Sequence, residues 1–344
     1  MTDAREIHQV EYRWHPVKDL FPVASSMSPE STRGWDIRMR SWVRHPPVDD
    51  PSHSVCYQVL PPNGSVAALA WRSRVVQASG RGNGELGRPH VSRVLMGSTS
   101  LLTPAVAIAL CRMGPPTLVG ARPGQVETGA ELPTVSAAEL TALVSEAVGW
   151  LDREAADAAS ADGLSQVIAA AIADPNAPLA IALPDAAAPR PPGDGAQARL
   201  LWGLWRITRP LLGTARRGWS FSTFEVPPGA GDPATLPDVV FRADAAIPPV
   251  PLAGTRREIR AVPGDPGTLA GSSQAWLAEW LIAEYLHGGG AAIDRLVAQC
   301  GVEQPLQARL GAVYELLHAK WARAAILVTP GGPTGPAGPE PEAG

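Results

Sequence analysis

Proline and glycine set the first limit on what this chain can become. Its 344 residues carry 36 Pro and 34 Gly. They concentrate at 114–134, at 186–195 and from Thr329 onward. Proline fixes φ and removes a backbone donor, and glycine loses the most entropy on ordering, so no long helix or strand crosses such stretches. The length suggests about two domains, at roughly 100–200 residues each. The punctuation places a mixed α/β N-terminal domain at 1–125 and a helical linker with an α/β middle domain at 136–265. A helical C-terminal segment follows at 266–328, and a disordered tail at 329–344. The expected class is α+β, or mixed α/β, with a helical end.

Between the breaks the local patterns are clear. Ile7–Trp14, His53–Leu60 and Ser65–Val76 read as strands. Pro61, Pro62, Asn63 and Gly64 join the last two, and Asn-Gly is a hairpin turn because both residues tolerate positive φ. His90–Met96 alternates as a strand. Thr103 and Pro104 supply an N-cap and a first helical residue for a helix ending near Cys111. Ser136 and Glu139 form a capping box before Leu140, Leu143, Val144 and Val148. Another helix lies near 163–173. Pro178–Leu183, Gly218–Glu225, Asp238–Arg242 and Arg257–Ala261 read as strands, and Gln197–Leu212 as a helix. Ser272 or Ser273 caps a helix carrying Trp276, Trp280 and Tyr285, and Gly288, Gly289 and Gly290 end it. A last helix begins at Pro305, with Leu306, Leu310, Val313, Leu317 and Trp321 at spacings of 3 and 4.

Composition excludes several chemistries. Net charge is −4, which gives no electrostatic case for nucleic acid or an anionic membrane. Lys18 and Lys320 are the only lysines; Lys18 precedes Asp19 and Lys320 precedes Trp321. Neither fits a phosphate-binding loop, where Lys precedes Ser or Thr. Cys56, Cys111 and Cys300 are far apart with no Cys-x-x-Cys, which argues against a disulfide framework or a zinc knuckle. A polar start and no apolar run of about 18 residues predict a cytoplasmic chain with no membrane span.

The motifs that remain each admit a plain reading. Gly82, Gly84 and Gly87 match Gly-x-Gly-x-x-Gly, but Arg88, Pro89 and His90 lead into a strand rather than a helix, so a loop is expected and no dinucleotide cofactor. Asp49, Asp50 and His53 have oxygen and imidazole ligands close in sequence, yet Pro46, Pro47 and Pro51 mark a surface loop, and no metal is expected. Thiol catalysis needs a histidine within hydrogen-bond reach. His8, His90 and Cys111 are the candidates, although Cys111 beside Ile108 and Leu110 also suits a buried core thiol. Eleven Trp outnumber four Phe and four Tyr. The pairs Trp202/Trp205 and Trp276/Trp280 sit at helical spacings that suit a core or an interface.

Some strings resemble a known family. His8-Gln9-Val10-Glu11-Tyr12-Arg13-Trp14 with Leu20 and Val23–Ser26 is similar to the start of the bacterial GTPase-associated proteins, specifically their type 2 N-terminal domain, common in actinobacteria. Gly87–Gly97 adds to the likeness, and Leu200–Arg206, Gly218–Glu225 and Leu236–Arg242 resemble that family's middle domain. The resemblance covers about residues 6–262. It implies a non-catalytic adaptor or regulator beside a small Ras-like GTPase, within a multi-protein signalling or conflict system. Arg81, Arg88 and Trp14 are the partner-contact candidates, with Arg216 and Arg217 as alternatives to Arg81 and Arg88. An exposed arginine can stabilise charge developing on a transferring γ-phosphoryl group, an effect of roughly 10³–10⁵ in rate. The alternative is an enzyme using His8, His90 and Cys111.

Overall fold

In a computed structural model, the described residues are 6–15, 17–40, 42–44, 53–60, 64–74, 90–113, 126–158, 163–183, 195–213, 219–225, 237–243, 257–260, 269, 271–301 and 304–328. The N-terminal strands are β1 (Glu6–His15), β2 (Asp19–Ser25), β3 (His53–Leu60), β4 (Val66–Arg74) and β5 (His90–Ser98). They are joined by α1 (Pro29–Met39) and followed by α2 (Pro104–Met113). A short β6 (Val135–Ser136) leads into α3 (Ala137–Ala158) and α4 (Leu164–Ala173). Then come β7 (Leu179–Leu183), α5 (Ala196–Leu212), β8 (Phe221–Ser222), β9 (Val239–Ala243) and β10 (Arg257–Arg260). The chain closes with α6 (Ser273–Gln299) and α7 (Leu306–Val328). The α+β class expected from the sequence is the observed one.

One mixed sheet runs through both regions that the sequence divides. Its order is β10-β7-β9-β8-β3-β4-β5-β1-β2, with β6 on β1. From β2 to β3 every pairing is antiparallel; from β8 to β10 every pairing is parallel. The halves meet where β3 pairs antiparallel with β8, through Cys56 with Ser222 and Tyr57 with Phe221. Gly218–Glu225, expected as a full strand, pairs regularly only over Phe221–Ser222. The Thr223 hydroxyl accepts from Val55 N at 2.8 Å, so a side chain takes over the ladder there.

A buried arginine fastens this seam. Arg72, on β4 and 1% exposed, donates from Nε to Ser54 Oγ at 2.9 Å, from Nη1 to Glu225 Oε1 at 2.9 Å, and from Nη2 to Ser222 Oγ at 2.8 Å and Phe224 O at 3.0 Å. The same Nη1 reaches Trp42 O at 3.3 Å and Arg44 O at 3.4 Å. A planar guanidinium with five fixed donors suits such a set of acceptors better than a lysine.

Strand parity separates two cores. Residues such as Ile7, Tyr57, Leu69, Trp71 and Leu95 face a helical layer that includes α2 to α7. Val10, Tyr12, Cys56, Ala70, Val94 and Met96 face α1 and the residues just after it. In the helical layer, Arg112 pairs with Glu154 at 2.9 Å and Trp202 Nε1 donates to Asp152 Oδ1 at 2.9 Å, tying α2 and α5 to α3. Arg309 donates to Leu211 O at 2.9 Å and so satisfies a carbonyl at the end of α5. The expected capping box is present: Glu139 N donates to Ser136 Oγ at 3.2 Å, and Ser136 N to Glu139 Oε2 at 2.8 Å. At the glycines expected to end its helix Gly289 has φ of 61°, but α6 only kinks there and runs on to Gln299. A Cβ on Gly290 would lie 2.0 Å from Arg206 Nε.

Candidate functional site

The three catalytic candidates occupy separate places. His8 pairs with Met96 across β1 and β5, whereas His90 pairs with Arg74 at the far end of β5. Six residues along a strand separate these positions, about 20 Å at roughly 3.3 Å per residue. His8 Nδ1 lies 3.3 Å from Ser26 Oγ. Cys111 is buried in the core on the helical side of the sheet. Burial pushes its thiol up to about 12, which disfavours the thiolate that a nucleophile needs. Cys56 is likewise raised to about 12, by burial first, although Arg72 pulls the other way. Among the described residues, no three His, Cys, Asp or Glu side chains gather to hold a metal ion. His53 itself sits against Ser73 Oγ at 2.9 Å, with its pKa lowered by burial. Asp49, Asp50, the Gly82–Gly87 loop, Arg81, Arg88, Arg216 and Arg217 lie outside the described residues, as does 329–344.

A different surface is built with more care. Helix α1 starts at Ser28, whose Oγ accepts from Ser31 N at 3.3 Å, with Pro29 in the first turn and Glu30 at the positive end of the dipole. Its buried side is Thr32, Asp36 and Met39. Two of the three are polar, so the helix is seated by directed contacts more than by apolar burial. Thr32 Oγ1 lies 2.9 Å from Ser25 Oγ, and Asp36 forms an ion pair with Arg40. Beneath lies fully buried Tyr12, whose phenol is raised far above its usual value by burial first and by Asp36 second.

The far end of α1 is equally fixed. Trp42 Nε1 donates to Arg38 O at 3.1 Å. Ser92 Oγ holds Val43 O at 2.5 Å, and Arg72 reaches the carbonyls of Trp42 and Arg44. Arg44 also pairs with Asp19 at the start of β2, which brings the β1–β2 tip against this end of the helix.

The outward side of this platform combines exposed apolar groups with cations. Ile37 is 82% and Val17 87% exposed, more than any other large hydrophobic among the described residues. Lys18, next to Val17 in the chain, and Arg33, Arg38, Arg40 and Arg44, on α1 or just after it, are also exposed. Five cations stand against the carboxylates of Asp19, Glu30 and Asp36, in a chain whose total is −4. The Arg38 guanidinium sits 5.0 Å from the Trp35 ring and Lys18 Nζ 5.1 Å from the Phe21 ring, so aromatic faces hold two of the charges in place. Trp14, a partner-contact candidate from the sequence, is half-buried and packs with Trp35 on the small core under α1.

Sequence reading passed over α1. Amphipathicity is the usual signal, and a helix that buries Thr and Asp gives almost none. The one legible cue was Ser28-Pro29-Glu30, a cap, a first-turn proline and an acid. No protein family, curated protein or solved structure matches this chain.

Proposed function

We propose that the chain is a non-catalytic adaptor or regulator that binds a small Ras-like GTPase through the outer side of α1 and the β1–β2 tip. The observation behind a binding role is that Ile37 and Val17 are the most exposed large hydrophobics among the described residues, on elements that also expose Lys18, Arg33, Arg38, Arg40 and Arg44. Exposed apolar groups with a polar rim are what a protein interface presents before it is covered. The rim charge selects an acidic partner surface and speeds encounter. The GTPase identity rests on the resemblance of His8–Trp14 and Val23–Ser26 to the GTPase-associated proteins. The alternative, chemistry by His8, His90 and Cys111, draws no support from where those side chains sit.

The test is a pull-down with the small GTPase encoded nearest the gene, loaded with GDP and with a GTP analogue. Wild-type chain retains it in at least one state, and Ile37→Glu with Arg38→Glu loses it while melting as wild type does. Absence of binding in both states would sink the reading. Single-turnover GTP hydrolysis with wild-type chain, Arg81→Ala and Arg88→Ala then separates a catalytic arginine from a passive adaptor. An unchanged hydrolysis rate with wild-type chain makes this an effector or scaffold.

A further inference from the structure

The turn that presents Val17 is held by a histidine. His15, the last residue of β1, is exposed. Its Nδ1 accepts from the backbone N–H of Val17 at 3.2 Å and from that of Lys18 at 3.3 Å. Both donors are amides, so Nδ1 carries no proton and the neutral ring is protonated on Nε2. The ring stands edge to face with Phe21 of β2, their centroids 5.9 Å apart and their planes at 84°.

The rest of the turn explains why this contact matters. Asp19 leaves it with φ of 61°, the one described residue other than glycine in the left-handed region. That conformation is unfavourable for a residue with a Cβ, although Asp tolerates it better than most. Val17 is 87% exposed, so burial does little to fix it. Lys18 and Asp19 are tied by their side chains, Lys18 Nζ lying 5.1 Å from the Phe21 ring and Asp19 pairing with Arg44. The backbone amides of Val17 and Lys18 are tied to a single imidazole nitrogen.

A protonated imidazole has no acceptor, because both of its nitrogens donate. Protonation therefore removes the two hydrogen bonds together and sets a ring N–H against two amide N–H groups. Histidine ordinarily makes this change between about pH 5 and pH 8. Among the described residues, the charged groups facing His15 come from the turn, from β2 and from the segment after α1. Lys18 shares the Phe21 ring with it, and Asp19 is its register partner across β1 and β2. Arg44 reaches the same place through its ion pair with Asp19, so that carboxylate is already engaged.

We infer that His15 is a pH-sensitive latch on the β1–β2 tip: the neutral ring orders Val17 and Lys18, and the protonated ring releases them. Its effect on docking rests on the function proposed above. Acidification loosens Val17, one of the two exposed apolar groups that the partner meets, and so weakens binding.

The test reads the latch first without any partner. Lys18 and Lys320 are the only lysines, so the full chain labelled with ¹⁵N-lysine gives two amide signals, and Lys320→Arg assigns them. The readout is solvent exchange of the Lys18 amide by NMR, corrected for its intrinsic dependence on pH. In the wild type its protection falls about fivefold from pH 7.5 to pH 5.5, the effect of losing about one net hydrogen bond. His15→Asn keeps the protection at both pH values, since its side-chain oxygen accepts from nearby amides and does not titrate. His15→Phe, a ring without an acceptor, lacks it at both. Equal protection at the two pH values in the wild type, or protection retained in His15→Phe, overturns the latch. A second arm measures affinity for the small GTPase encoded nearest the gene, at about 500 mM salt so that rim charges are screened. Wild-type affinity weakens about fivefold from pH 7.5 to pH 5.5 relative to His15→Asn, and a ratio equal to that of His15→Asn overturns the coupling to docking. A chain whose Lys18 amide responds as expected but that binds no GTPase at either pH sinks the function proposed above and leaves the latch standing.

Discussion

Removing Arg72 should loosen the joint between the antiparallel and parallel halves of the sheet. Its guanidinium is 1% exposed and serves Ser54, Ser222, Glu225 and the carbonyls of Phe224, Trp42 and Arg44. Arg72→Ala leaves Glu225, mostly buried, without this cation, and strips a donor from two hydroxyls and three carbonyls. Breaking a buried ion pair by deleting one partner costs about 3–5 kcal/mol. The hydrogen bonds share that figure rather than add to it, because they belong to one network. Against a native stability of about 5–15 kcal/mol, this is a large fraction. In urea, with a slope of about 3 kcal/mol/M, the midpoint falls by roughly 1–1.7 M. Arg72→Lys falls nearly as far, since one ammonium cannot span acceptors on β3, β8 and the segment after α1. Glu225→Gln in the same cycle separates the pair energy from the rest. A midpoint shift below about 0.3 M for Arg72→Ala would show that the seam is held by other contacts and that this reasoning is wrong.

Three further outcomes follow from particular residues. Glu11 is fully buried between Arg93, at 2.5 Å, and Arg13, at 2.7 Å; Glu11→Gln leaves two cations beside a neutral amide and should cost about 3 kcal/mol or more by urea unfolding, whereas a change under about 1 kcal/mol would refute the pairing. The Cys56 and Cys111 thiols, raised by burial to about 12, are about one part in ten thousand thiolate at pH 8, so an aromatic disulfide reagent should label them only as the chain unfolds; prompt labelling of Cys111 in the folded chain would revive the enzyme alternative. His53 has its folded pKa lowered by burial, so the unfolded chain takes up its proton first. That part of the stability is complete above the unfolded value of about 6.5 and is lost as pH falls through the folded value. The urea midpoint of the wild type should therefore drop more between pH 7.5 and pH 5 than that of His53→Asn, and parallel profiles would contradict the assignment.

The elements that the sequence shows plainly are those whose buried side is apolar. β3 and β4 pair without interruption from His53 with Ser73 to Leu60 with Val66, and Gly64, just before β4, has φ of 65°. The capping box at Ser136 is local chemistry and stands where its residues place it, and the glycines kink their helix at Gly288–Gly289, although it resumes beyond them. What stayed hidden depends on contacts distant in sequence. β2 carries Pro22, an irregular register opposite Glu11 and Tyr12, and Asp19 at a φ of 61°, none of which marks a strand. The union of two apparent segments into one sheet rests on Tyr57 meeting Phe221 and on Arg72 meeting Glu225, pairs about 150 residues or more apart that no window along the chain can see. The site was hidden for a related reason. A helix such as α1 is recognised by what it leaves exposed, and Ile37 in Asp36-Ile37-Arg38 reads along the sequence as an ordinary core residue until the fold turns it outward.

The central claim is that α1 and the β1–β2 tip receive a protein partner. Hydrogen–deuterium exchange of the full chain, alone and saturated with the neighbouring small GTPase in its GDP and GTP-analogue states, tests it most directly. Bound partner should slow exchange across 29–44 and 17–20 by tenfold or more in at least one nucleotide state, while α4 and the other buried helices stay as they were. Protection confined to other elements, or none in either state, would contradict the claim.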